Sequence, residues 1–186
     1  MKTPHTYRSC EIKSESIYID GQLIYEQVDL SFAKFIKGAY KHFQLNYPKF
    51  HKMDRLCKLA FVCAHLLLEQ SPLNDVEPEE IAIVMANANS TLHTDQKHAD
   101  SINDRSNYFP SPAVFVYTLP NIMVGEICIK YNIKGESVFF VSNEYDPNML
   151  LNYSKALLDS NKAKICLTGW VEYTADHYYA QLHLIK

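Results

Sequence analysis

Apolar residues recur at helical spacing in two stretches of the first third of the chain. Phe32, Phe35, Ile36, Ala39 and Phe43 share one side of residues 30–43. That spacing predicts an amphipathic helix, ended by Tyr47-Pro48. Over residues 54–69, Leu56, Leu59, Ala60, Cys63, Leu66 and Leu67 repeat in the same way, and Phe61, Val62, Ala64 and Leu68 widen the stripe. A helix apolar nearly all round is buried on more than one side. Ile81 opens a short apolar run that reaches Ala86 and gives way to Asn87-Ala88-Asn89-Ser90, which reads as a buried strand running into a loop. Ser137, Val138, Phe139, Phe140 and Val141 are rich in β-branched and aromatic residues and predict a strand. Two more strands are expected at 164–171 and 178–185. In the second, Tyr179, Gln181 and His183 alternate with Ala180, Leu182 and Leu184.

Turn and cap residues punctuate this pattern. Asp20-Gly21 lies between Ser16-Ile17-Tyr18-Ile19 and Gln22-Leu23-Ile24-Tyr25, the signal of a two-residue hairpin; a tight loop before a helix has the same residues. Residues 71–78 are a loop by composition. Residues 91–102 allow a helix, but a polar one. Pro110 and Pro112 make 103–112 a loop, and a helix follows over 118–131 with Pro120 in its first turn. Asp146-Pro147 is a cap with a first-turn proline, opening a helix to about residue 158. Strands alternating with helices, then a final strand pair, imply an α/β protein.

Composition narrows the function classes. A chain of 186 residues suits one domain, and 47 % hydrophobic with 21 % charged residues is ordinary for a globular protein. A net charge of -3 argues against a nucleic-acid partner, which needs a basic face. Cys10, Cys57, Cys63, Cys128 and Cys166 are odd in number and form no C-x-x-C pair, so reduced thiols and a cytoplasmic location are expected. No signal-like segment or membrane-length apolar run is visible. The eight histidines form no zinc-type spacing, so no metal and no cofactor are expected. Lys34 with Lys37, Lys49 with Lys52 and Lys162 with Lys164 read as solvated faces.

Several short segments, in order, resemble the N-terminal half of β-ketoacyl synthases, which have a thiolase-like fold. Tyr18-Ile19-Asp20-Gly21 is similar to the family's first strand and turn. Lys52-Met53-Asp54 resembles the K-M-D that opens a ketosynthase helix. Ser90-Thr91-Leu92-His93-Thr94-Asp95, Ser111-Pro112, Leu119-Pro120-Asn121 and Gly125-Glu126-Ile127 resemble a subfamily of aryl polyene and flexirubin-type pathways. Lys134-Gly135-Glu136-Ser137 resembles the G-P-S turn before the nucleophile strand, and Gly169-Trp170-Val171-Glu172 the G-G-x-E strand end. The resemblance implies one half of a thiolase-like fold, a mixed sheet of about five strands with helices packed on it, over 1–186 as a single domain with no second catalytic half.

Two departures carry the functional expectation. Laid on the family pattern without gaps, the condensing cysteine falls on Glu144, flanked by Ser142, Asn143 and Tyr145. A carboxylate attacking a thioester gives an anhydride, and no base is evident beside it. None of the histidines has the H-G-T or G-H-x context of the family's catalytic pair. Glu144 precedes a helix start, where a negative charge is favoured by about 0.3–1 kcal/mol. The helix that follows carries Asn148, Asn152, Lys155 and Asp159 as a polar stripe opposite Met149, Leu150, Tyr153, Ala156 and Leu157, so it is expected to be buried on one side only. The resemblance therefore implies a catalytically inactive subunit of the chain-length-factor type, pairing with an active ketosynthase or with itself in fatty-acid or polyene-type biosynthesis, with acyl carrier protein as a further partner. In the family the strand before the nucleophile, here Ser137 to Val141, pairs across the dimer. A residual malonyl-thioester decarboxylase acting through Glu144 and a stand-alone homodimeric scaffold remain the alternatives.

Overall fold

The computed structural model describes residues 6–69, 71, 73–103, 106, 108–175 and 177–186. Strands β1 (Thr6–Lys13), β2 (Ser16–Ile19) and β3 (Gln22–Glu26) open the chain. β4 (Ile81–Asn87), β5 (Ser137–Val141), β6 (Ile165–Tyr173) and β7 (Tyr178–Ile185) complete one mixed sheet in the order β3-β2-β1-β7-β6-β4-β5. β4 runs parallel to β5 and β6, while β7 is antiparallel to both β6 and β1.

The sheet has seven strands rather than about five. The strand not expected is β1, beyond which the sheet is extended by the β2–β3 hairpin. The turn of this hairpin is Asp20-Gly21, with φ of 51° and 79° as a two-residue hairpin of this kind needs. The first strand is β1, which pairs with both β2 and β7, whereas Tyr18-Ile19 belongs to β2.

Six α-helices are seen among the described residues, and α1 (Phe32–His42), α2 (Arg55–Leu68), α5 (Asn121–Tyr131) and α6 (Pro147–Asp159) pack on the sheet. α1 and α2 match the two apolar periodicities. Asp54 caps α2 by accepting from the Cys57 N–H at 2.8 Å. Eleven of the fourteen α2 residues are buried, because α2 lies between the sheet and helix α5 (Asn121–Tyr131). Residues 91–102 form the helix their polarity left open, α3 (Leu92–Asn103). The helix expected over 118–131 is α5, with Pro120 at its N-cap, and the short α4 (Pro112–Val116) precedes it. The loop expected over 103–112 includes residues 104, 105 and 107, which lie outside the described residues, and α4 takes up its end. On the opposite face, α6 is the one helix among the described residues, packed over β4, β5 and β6.

The period of two along each strand separates the faces. On one, Cys10, Ile12, Ile83, Met85, Leu167, Val171, Ala180, Leu182 and Leu184 meet α1, α2 and α5 in the larger core. On the other, Ala82, Val84, Ala86, Cys166 and Trp170 meet Leu150 and Leu157 of α6. Gly169 is required where β6 meets β7: a Cβ there would run into the backbone of Gln181 and Leu182, which cannot swing aside.

Candidate functional site

β5 lies at the sheet edge and pairs with β4 alone, from Ile83↔Ser137 to Asn87↔Val141. Val138, Phe139 and Phe140 are half-buried, and Val141 is 57 % exposed. The Ser142 N–H prolongs the pairing by donating to the Asn87 carbonyl at 3.0 Å, and the Ser142 hydroxyl donates to the Glu144 carbonyl at 2.8 Å. Asn143 and Glu144 are exposed. Tyr145 turns inward and its ring lies 5.5 Å from that of Trp170; burial raises its pKa. Asp146 then caps α6, accepting from Asn148 N at 2.9 Å and Met149 N at 3.0 Å.

The strand–loop–helix expected around the nucleophile position is therefore present. The carboxylate at the helix start is that of Asp146, not of Glu144, which stands two residues before the cap and faces water. α6 is buried on one side, as its polar stripe predicts, with two differences: Ala156 is exposed, and Ser154 is fully buried.

Four of the five cysteines are buried, and Cys128 is half-buried. Burial raises the pKa of Cys10, Cys57 and Cys128, and pushes that of Cys166, which lies beneath α6, up to about 12. A thiol at such a pKa is a small hydrophobe at neutral pH, not a thiolate. Among the described residues, no cluster of three or more His, Cys, Asp or Glu side chains could hold a metal ion.

Two features go beyond the linear reading, which named Glu172 only as part of a strand end. Glu172, at the end of β6, is 7 % exposed and accepts from the N–H groups of Ala88 at 2.7 Å and Asn89 at 3.3 Å. Asn87 closes the same loop around Ser90, through Nδ2 to the Ser90 carbonyl and Oδ1 from the Ser90 N–H, both at 2.8 Å. These bonds fix the chain beside the point where Ser142 leaves the sheet. A glutamate ending an otherwise apolar strand was the available signal.

The second feature is a cationic cleft. Cavities of about 340 and 290 Å³ adjoin at Arg55 and Lys58. Lys52, His93 and Lys97 line the larger, and Lys37 and His51 the smaller. The lining carboxylate, Asp54, is occupied by the Cys57 N–H and by the Thr94 hydroxyl at 2.6 Å. Burial lowers the pKa of Lys58, and repulsion from Arg55 and Lys97 adds to it against the pull of Asp54. Burial, then Arg55, likewise lowers that of His93. Lys37 and Lys52 are exposed, as expected of solvated lysines, and line this cleft.

Residues 15–178 match the family described as β-ketoacyl synthase, N-terminal domain. No curated protein matches the sequence. Three solved structures are similar over 100 % of the chain. One is a ketosynthase in complex with its chain length factor from Xenorhabdus doucetiae, with a TM-score of 0.67, 14 % identity and 79 % of that chain covered. Another is the ishigamide ketosynthase/chain length factor, with a TM-score of 0.68, 16 % identity and 62 % covered. The third is a type II polyketide synthase acyl-carrier protein in complex with its ketosynthase bound to the hexaketide, with a TM-score of 0.73, 12 % identity and 63 % covered. The chain spans less than two thirds of the last two. At these identities the likeness establishes the fold: one thiolase-like half, α/β with a mixed sheet. No helix among the described residues is long and apolar enough to cross a membrane.

Proposed function

Because the chain belongs to the β-ketoacyl synthase N-terminal-domain family, we propose that it is a non-condensing subunit of the chain-length-factor type, a single ketosynthase-like domain over 1–186 that pairs with an active ketosynthase through β5. The observation that carries this reading is the loop after β5. It keeps the strand–loop–helix geometry of a nucleophile site, yet presents an exposed carboxylate at Glu144. The carboxylate yields no stable acyl-enzyme, and the Cys166 thiol buried beneath α6 is not a nucleophile at neutral pH.

The edge position of β5 supports pairing. Its outer N–H and C=O groups are a template for another strand, and Val141 adds exposed apolar surface. The cationic cleft supports contact with an acidic partner such as an acyl carrier protein. The chain carries a net charge of -3, so the positive charge there is local and would steer such a partner.

Co-expression with an active ketosynthase tests the reading. A stable complex is expected, lost on Val141→Lys and weakened by Arg55→Glu only when carrier protein is present. The proposal is overturned if light scattering shows a homodimer that ignores added ketosynthase. It is equally overturned if the chain alone decarboxylates a malonyl thioester and Glu144→Ala does not.

A further inference from the structure

α6 covers β4, β5 and β6 but leaves most of β7 and β1 open on that face. At the seam between its first two turns and the β6–β7 pair lies a cavity of about 190 Å³. Tyr145, Pro147, Leu150, Leu151 and Ile185 give it apolar walls. Thr168 and His183 line it from the sheet, directly opposite each other in the β6–β7 register. Thr168 is only 4 % exposed, and its hydroxyl has no hydrogen-bond partner; nor does Nδ1 of His183.

A buried hydroxyl and a buried ring nitrogen left unbonded are costly, and the remedy is a group that bonds both. Apolar walls with a few convergent polar atoms are the usual composition of a small-molecule site. The size is also informative. An apolar cavity of about 150 Å³ accepts benzene, so this one holds roughly six to eight non-hydrogen atoms. The charge sets the head group. No Asp, Glu, Lys or Arg lines the cavity, and burial keeps the His183 imidazole below its usual pKa, hence neutral near pH 7. Ammonium, phosphate and carboxylate heads therefore have no counter-charge there. A hydroxyl, by contrast, can donate to Nδ1 of His183, in the tautomer with its proton on Nε2, and accept from Thr168.

We propose that the seam between α6 and the β6–β7 pair binds a small neutral molecule with a benzene-sized apolar body and one hydroxyl head held by Thr168 and His183. The site is separate from the β5 edge and from the cationic cleft, and it does not require a ketosynthase partner.

Titrating the isolated chain with benzyl alcohol and with toluene, followed by amide NMR, tests this. Benzyl alcohol at up to about 10 mM, a range suited to so small a ligand, is expected to give saturable shifts at Leu150, Leu151, Gly169 and His183. Benzyl alcohol on Thr168→Val is expected to bind about ten-fold more weakly, the loss of one hydrogen bond to a buried partner, and toluene, which loses both, more weakly still. Thr168→Val keeps the side-chain shape and removes an unbonded hydroxyl, so the variant folds and its result is interpretable. Two outcomes overturn the proposal: no saturable shifts at these residues, which leaves the cavity to water, or equal affinity for both ligands in both proteins, which reduces it to apolar partition.

Discussion

The two faces of the sheet are made by the same strands yet differ in completeness. On the α2 side, Cys10, Ile12, Ala180 and Leu182 are fully buried under helices. On the α6 side the same strands show Ser9, Glu11, Tyr179, Gln181 and His183, half-buried and polar. There the Tyr179 hydroxyl lies within hydrogen-bond distance of both Glu11 Oε1, at 3.1 Å, and Gln181 Oε1, at 2.9 Å, and Lys13 pairs with Glu11 at 2.8 Å. Alternation lets one strand serve a permanent core and a surface at once. Stability is concentrated on the closed face. The features suited to recognition lie on the open face, at the β5 edge and in the cationic cleft.

The largest expected effect tests that division directly. Phe61 is 1 % exposed and stacks on Tyr47 at 4.9 Å within the closed core. Phe61→Ala is expected to cost about 3–5 kcal/mol, because the cavity it leaves is walled by the rings of Tyr47 and Phe50 in the closed core. Tyr179→Phe, on the open face, is expected to cost less than about 1 kcal/mol, since it removes a partly solvated hydrogen bond. Urea unfolding of both variants gives the comparison. Equal losses would break it.

This division was only partly legible in the sequence. α2, β7 and α6 were readable because their apolar periods are long and unambiguous. β1 was not. In Thr-Tyr-Arg-Ser-Cys-Glu-Ile-Lys only Cys10 and Ile12 mark the buried face, and the other positions look like a polar tail. α4 was hidden by reading Pro110 and Pro112 as loop. Yet Ser111 caps α4 ahead of Pro112, the same device that identified α6 at Asp146-Pro147. The site was less legible than the fold. Glu172 reaches Ala88 across 84 positions of sequence, and Arg55 meets His93 and Lys97 only when α2 and α3 are placed together. No local pattern encodes either juxtaposition.

A smaller effect should follow acidification. On the closed face His65 is buried, and its Nδ1 lies 2.6 Å from the Tyr131 hydroxyl. Burial lowers its pKa, the nearby Lys130 acts the same way, and Glu69, 3.8 Å off, opposes them without reversing the result. Burial also lowers the pKa of His93 in the cleft and His183 on the open face. A depressed histidine pKa means that the unfolded chain binds the proton more readily. Stability is therefore expected to fall as pH drops below about 6.5 and to be level above it. Melting temperatures at pH 7.5 and pH 5.5 measure the fall. His65→Gln should reduce it more than His183→Gln, if the closed face tolerates charge less than the open one.

The smallest effect is expected at Glu144, and it sharpens what the loop after β5 is for. Asp146 and Glu144 are two acidic residues ahead of one helix, but only Asp146 accepts the free N–H groups of α6. Asp146→Ala should cost about 0.5–2 kcal/mol, the usual loss for a cap. Glu144→Ala should stay within about 0.5 kcal/mol of the parent, as for an exposed side chain with no structural partner. Glu144→Cys should be similarly silent in stability. Its thiol would stand in water, two residues before the helix start, so its reactivity toward iodoacetamide should be that of an ordinary exposed cysteine. An abnormally fast reaction, or a covalent acyl adduct with an acyl thioester, would mean that the loop retains an activating environment the exposed carboxylate conceals. The non-condensing reading of the chain would then fail at the position on which it was built.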